Sequence, residues 1–156
     1  MKTRSLGAVL AVVVGLVGGC EKKEDVKMCA AYACGNGAKL TGTTAVSTPP
    51  TLVDVSFCSD GCKQGLVDVA QDPTLAACAT WGQSSVCLKP SDGGLDVEAT
   101  WGYDTMGDPP PDGTEYRLTL TDHVTGQTLL DVTRTTRYEL TRVDNCHRCW
   151  YAEMSL

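Results

Sequence analysis

Cys146-His147-Arg148-Cys149 is the tightest grouping of reactive side chains in the chain. Two thiols at this spacing can act as attacking and resolving partners in disulfide exchange. Catalytic pairs of that kind sit at a helix start, where the dipole stabilises the thiolate. Here the residues after Cys149 alternate like a strand, and Trp150 follows the pair. A structural bridge is therefore the expectation, with an envelope thiol–disulfide oxidoreductase using Cys146 and Cys149 as the alternative. The same cysteines with His147 or His123 could supply zinc ligands. Covalent haem attachment would need a histidine after the second cysteine, and Trp150 stands there.

Other groupings carry less chemistry. Asp104, Asp108 and Asp112 fall in a Gly/Pro-rich loop that could bind calcium weakly, without EF-hand spacing. A solvated acidic loop is the plainer reading. No nucleophile elbow and no phosphate-binding glycine loop occurs in the sequence. His123 beside Asp122 reads as a surface histidine. Trp81, Trp101 and Trp150 could line a stacking face, which makes a carbohydrate-binding module a further alternative. Strand alternation instead turns Trp101 and Trp150 inward. No cofactor and no metal is called for.

The elements that hold these residues begin at the N-terminus. Lys2 and Arg4 precede an uncharged apolar run from Leu6 to Val17, and Gly18-Gly19 lead into Cys20. A basic start, a short apolar run and small exit residues describe a secretory signal peptide. The run is shorter than the roughly 20 apolar residues needed to span a bilayer. Val17-Gly18-Gly19-Cys20 resembles the bacterial lipobox. That resemblance implies cleavage before Cys20 and a thioether-linked diacylglycerol on it. One acyl chain holds weakly at about 0.8 kcal/mol per buried methylene, and a second makes the anchor stable. Glu21, rather than Asp, follows the cysteine. By the enterobacterial sorting pattern this points to the outer membrane. Residues 1–19 are thus read as signal peptide, 20–28 as lipidated cysteine and charged tether, and 29–156 as a single domain.

Cleavage removes 19 of 156 residues. It also removes Lys2 and Arg4 from the 13 basic residues and none of the 19 acids, leaving a net charge of −8. Such an acidic domain lacks the basic footprint that nucleic acid requires. The partners expected are the membrane, through the lipid on Cys20, and an unidentified envelope or extracellular partner.

Phe57 is the single phenylalanine, so the aromatic core is thin. Eight cysteines remain beside Cys20: Cys29, Cys34, Cys58, Cys62, Cys78, Cys87, Cys146 and Cys149. An even count in an exported chain reads as a disulfide framework, which supplements a modest core. The count fixes no connectivity. Sequence neighbours are the simplest pairs, and Cys29 or Cys34 could instead reach a distant partner. Export into an oxidising compartment also argues against zinc on these thiols.

Along the domain, period-2 alternation predicts short strands. Residues 38–46 are Thr-rich and β-prone, and Thr48-Pro49-Pro50-Thr51 ends that stretch. Val53, Val55 and Phe57 share one face of the next strand. Ser59-Asp60-Gly61 between Cys58 and Cys62 predicts a hairpin with Gly61 left-handed and the two cysteines opposed. Asp72-Pro73 could open one short helix through Ala79, with a strand nearly as good. Cys78 and Cys87 bracket a turn, and Lys89 to Gly94 reads as a loop. Leu95, Val97, Ala99 and Trp101 point inward. Further strands cover 116–122, 128–133 and 135–143, the last with Tyr138 and Leu140 on one face. A final strand carries Trp150, Ala152, Met154 and Leu156 in one row and should pair inside a sheet. Seven or eight strands with frequent turns indicate an all-β, antiparallel sandwich with at most one short helix.

The lipobox at Cys20, the Cys29/Cys34 opening, the Cys58/Cys62 hairpin and Cys146/Cys149 before the last strand are together similar to small cysteine-rich lipoproteins of myxobacterial type. The resemblance covers most of the mature chain. It implies an immunoglobulin-like or transthyretin-like sandwich and no assigned activity. The function expected is a non-enzymatic binding or structural role at the cell envelope.

Overall fold

The computed structural model describes residues 36–156, except 71, 73, 104–110 and 144–147. Ten strands form two sheets, and no helix occurs among the described residues. The strands are β1 (Asn36–Ala45), β2 (Leu52–Cys58), β3 (Cys62–Asp68), β4 (Ala77–Trp81), β5 (Ser84–Ser91), β6 (Gly94–Tyr103), β7 (Glu115–Asp122), β8 (Thr128–Thr135), β9 (Glu139–Val143) and β10 (Arg148–Ser155). The six-stranded sheet runs β4-β5-β6-β1-β10-β9, and the four-stranded sheet runs β3-β2-β7-β8. Every ladder is antiparallel except β1 with β10, where Gly37 lies beside Tyr151 and Leu40 beside Met154 in parallel. The last strand therefore sits between β1 and β9, inside its sheet as its apolar row requires.

Alternation sets the core. Val53, Val55 and Phe57 from β2, and Tyr116, Leu118 and Leu120 from β7, are all buried. They meet Leu95, Val97, Ala99 and Trp101 from β6 and Leu40 from β1 across the sandwich. Phe57, Trp101 and Tyr116 form the aromatic centre, with ring centroids 5.4–5.9 Å apart and mostly edge-on. Such pairs add roughly 0.5–1.5 kcal/mol each beyond simple burial. One trio thus makes up for the scarcity of phenylalanine.

Four expectations change. The stretch after Asp72 is not a helix. Asp72 caps a single turn, accepting from Thr74 N at 2.9 Å and Thr74 Oγ1 at 2.6 Å, and β4 then begins at Ala77. Two turns of helix would bury little, whereas a strand gains a full ladder against β5. Second, Lys89-Pro90-Ser91 continues β5 rather than forming a loop. Pro90 faces Leu95 on β6, and the β4 ladder has already ended at Leu88, so the missing N–H leaves no partner unmet there. Third, Gly61 does not adopt positive φ; among the described residues only Gly82, Gly93, Gly113 and Gly126 do. The Cys58–Cys62 bridge, together with a 2.8 Å bond from Ser59 N to the Gly61 carbonyl, closes that loop without it. Fourth, Tyr138 and Leu140 do not share an environment: Tyr138 is buried just before β9, whereas Leu140 is exposed.

Candidate functional site

The outward half of the same alternation builds a polar surface on the four-stranded sheet. Register places Gln64, Ser56, Thr119 and Asp131 in one row across β3, β2, β7 and β8. Leu66, Asp54 and Thr121 form the next row. Between the rows lies an open groove of about 430 Å³, its wall made by Asp54, Ser56, Gln64, Thr119 and Thr121. Leu66 stands 49% exposed in the second row.

Two side-chain pairs frame this surface. Arg117 grips Asp131 with both ends of its fork, Nε at 2.8 Å and Nη2 at 2.6 Å, and Thr119 Oγ1 reaches the same carboxylate at 3.4 Å. The hydrogen bond from Arg117 holds the Asp131 carboxyl below its usual range, and Asp131 in turn raises Arg117. His123 Nδ1 lies 2.9 Å from Asp54 Oδ2, tying the end of β7 to β2. Beside it, Asp122 accepts from the Val124 and Thr125 amides, which hold its carboxyl low. The two-pronged Arg117–Asp131 contact adds geometric specificity to this surface. The surface offers fixed acceptors, hydroxyls and an amide suited to hydrogen-bonding a polar ligand.

The opposite outer face, on the six-stranded sheet, carries a second open groove of about 570 Å³ lined by Thr41, Thr43, Lys89, Asp96 and Glu98. Two of its acidic side chains are already engaged. Lys39 Nζ binds Glu98 at 2.8 Å, which raises the lysine, and Thr43 Oγ1 donates to Asp96 at 2.8 Å.

Of the residues singled out from sequence, Cys58 is bridged to Cys62 and Cys78 to Cys87. Each bridge joins residues directly opposed in neighbouring strands. Cys20, Cys29, Cys34, Cys146, His147, Asp104 and Asp108 lie outside the described residues. Cys149 is described only in its backbone, as the second residue of β10. Asp112 is engaged internally, accepting from Tyr138 N at 2.9 Å. Trp101 is buried. Trp81 and Trp150 are half-buried, Trp150 against the core and Trp81 with its ring over Gly65. The tryptophans thus serve packing rather than a shared exposed platform. Among the described residues, no three His, Cys, Asp or Glu side chains gather as metal ligands would.

Two groupings escaped the sequence. Arg117 and Asp131 are fourteen residues apart, and only the β7–β8 register brings them together. Tyr116 shares its hydroxyl with Tyr103 and with Tyr138, the latter at 2.5 Å, in a chain of three phenols at one end of the core. Burial pushes the Tyr116 and Tyr138 phenols above their ordinary value, and bonding to Tyr103 adds to this.

Compared with known proteins, the chain matches no protein-family model, no curated protein and no solved structure.

Proposed function

We propose that this chain is a lipid-anchored protein of the cell envelope with a non-enzymatic binding role. Its sandwich is held close to the membrane by a short charged tether, and the polar face of the four-stranded sheet is its ligand-binding surface. The observation that carries the reading is the pair of bridges, Cys58–Cys62 and Cys78–Cys87, each between opposed strand residues. Bridges of this kind persist in exported chains and are rare where thiols are kept reduced, so they are compatible with a non-cytoplasmic protein. The Val17-Gly18-Gly19-Cys20 exit supports lipidation at Cys20, and Glu21 supports the outer membrane as destination.

The test is mass spectrometry of the native protein with metabolic labelling by palmitate. The expected product begins at Cys20, carries the label, fractionates with outer membrane and loses both label and membrane association in Cys20→Ala. An unlabelled, full-length product with all thiols alkylatable overturns it.

A further inference from the structure

Each of the two bridges lies on the outer face of its sheet, because its cysteines alternate with buried neighbours such as Phe57, Val86 and Leu88. Each also joins an edge strand to the strand inside it. Cys58–Cys62 links β2 to the edge strand β3, and Cys78–Cys87 links β5 to the edge strand β4. The edge-strand sulfurs belong to exposed residues, Cys62 and Cys78, whereas Cys58 and Cys87 are half-buried. A thiolate attacks one sulfur of a disulfide from the side away from the sulfur that leaves. β7 flanks Cys58 and β6 flanks Cys87, so the open approach is to the edge-strand sulfur. The inner cysteine, Cys58 or Cys87, is then the leaving group.

The surroundings of the two leaving sulfurs differ. Ser56 Oγ lies 3.5 Å from Cys58 Sγ. A bridged sulfur carries no hydrogen, so the hydroxyl is the donor and the sulfur the acceptor. Cys58 faces Arg117 across the β2–β7 ladder, whereas Cys87 faces Glu98 across the β5–β6 ladder. Arg117 shares its charge with Asp131, Glu98 shares its own with Lys39, and Asp60 stands in the turn beside Cys58. The Ser56 hydroxyl is therefore the sharper difference. A donor on the departing sulfur stabilises its thiolate, and a better-stabilised thiolate leaves faster.

The β2–β3 hairpin also tolerates opening. Cys58 and Cys62 are the last of seven ladder pairs, and the Ser59 N–Gly61 O bond closes the turn beside them. Cys78–Cys87 is instead the second of only five pairs that hold β4 to β5.

We propose that Cys58–Cys62 is a site of reversible covalent modification by small thiols, with Cys62 as the sulfur that takes the adduct. The incoming thiolate forms a bond to Cys62 Sγ while the Cys58–Cys62 bond breaks. The electron pair of that bond passes to Cys58 Sγ, which departs as a thiolate held by the Ser56 hydroxyl and then takes a proton from water. One disulfide is exchanged for another, so no separate oxidant is consumed. Return attack by Cys58 on Cys62 expels the thiol and restores the bridge. Neither the ligand surface nor the lipid enters this chemistry.

Reduced glutathione is the probe. The folded full-length protein is incubated with it without oxygen, sampled over time, alkylated, and read by fragment-ion mass spectrometry. The expected result is glutathione on Cys62 and the alkyl label on Cys58, appearing several-fold faster than any label on Cys78 or Cys87. Ser56→Ala should slow this opening several-fold, Ser56→Thr should keep it, and neither should change the rate at Cys78–Cys87. Equal rates at the two bridges in the parent protein, glutathione chiefly on Cys58, or an unchanged rate in Ser56→Ala would each overturn the assignment.

Discussion

Trp81 Nε1 donates to the Gln64 carbonyl at 3.0 Å, joining β4 of one sheet to β3 of the other where the sandwich would otherwise gape. The ring lies over Gly65, where an added β-carbon would come within 2.9 Å of Trp81 Cζ2 and 3.0 Å of the Ala79 β-carbon. The indole thereby closes one edge and satisfies one carbonyl of an edge strand. Gly65→Ala forces the ring outward and should destabilise by about 1–2 kcal/mol. Thermal or urea melts of the variant check this, and an unchanged midpoint refutes the packing account.

A second close approach is tighter. A β-carbon at Gly94 would stand 1.9 Å from the Thr44 carbonyl oxygen, which is backbone and cannot swing aside. Gly94→Ala should cost about 3 kcal/mol or more, or prevent folding. Gly61, where an added β-carbon meets nothing within 4 Å and φ is not positive, is the control. Gly61→Ala should melt close to the parent.

The phenol chain gives a pH dependence with a definite sign. Tyr116 and Tyr138 are raised in the folded protein above the ordinary tyrosine value of about 10. Above that pH the unfolded chain loses phenolic protons that the folded one keeps, so stability falls as pH rises. Below it the contribution is complete. Melting temperature should therefore drop between about pH 10 and 12, and a Tyr116→Phe, Tyr138→Phe double variant should show a shallower drop. At neutral pH, Tyr116→Phe alone should cost about 1–2 kcal/mol, since it leaves the Tyr138 hydroxyl without its 2.5 Å partner.

The two bridges should contribute unequally. Cys78 and Cys87 are nine residues apart, Cys58 and Cys62 four. Loop-closure entropy predicts losses of about 3 and about 2 kcal/mol for the respective double-alanine variants. Denaturant midpoints rank them. A larger loss from the shorter loop would mean that native contacts, not chain entropy, set the effect.

In the sequence by itself, period-2 alternation sorted inward from outward positions in two of the strands, though not at Tyr138 and Leu140. Alternation in 52–58 and 95–101 placed Val53, Val55, Phe57, Leu95, Val97, Ala99 and Trp101 correctly, because a strand offers only two faces and water sorts them. The cysteine count left the connectivity open; neighbours in sequence are the simplest pairs, and Cys58–Cys62 and Cys78–Cys87 are bridged in that way. The sequence did not determine β4 or β5. Ala-rich and Pro-containing stretches have no strong local preference, and ladder bonds to β5 and β6 decided them. Which strands are neighbours is visible in the sheet order alone. The parallel β1–β10 seam, the Arg117–Asp131 fork and the three-phenol chain each depend on register between distant segments. That register is fixed by burying both sheets at once, a constraint that no local window of residues contains.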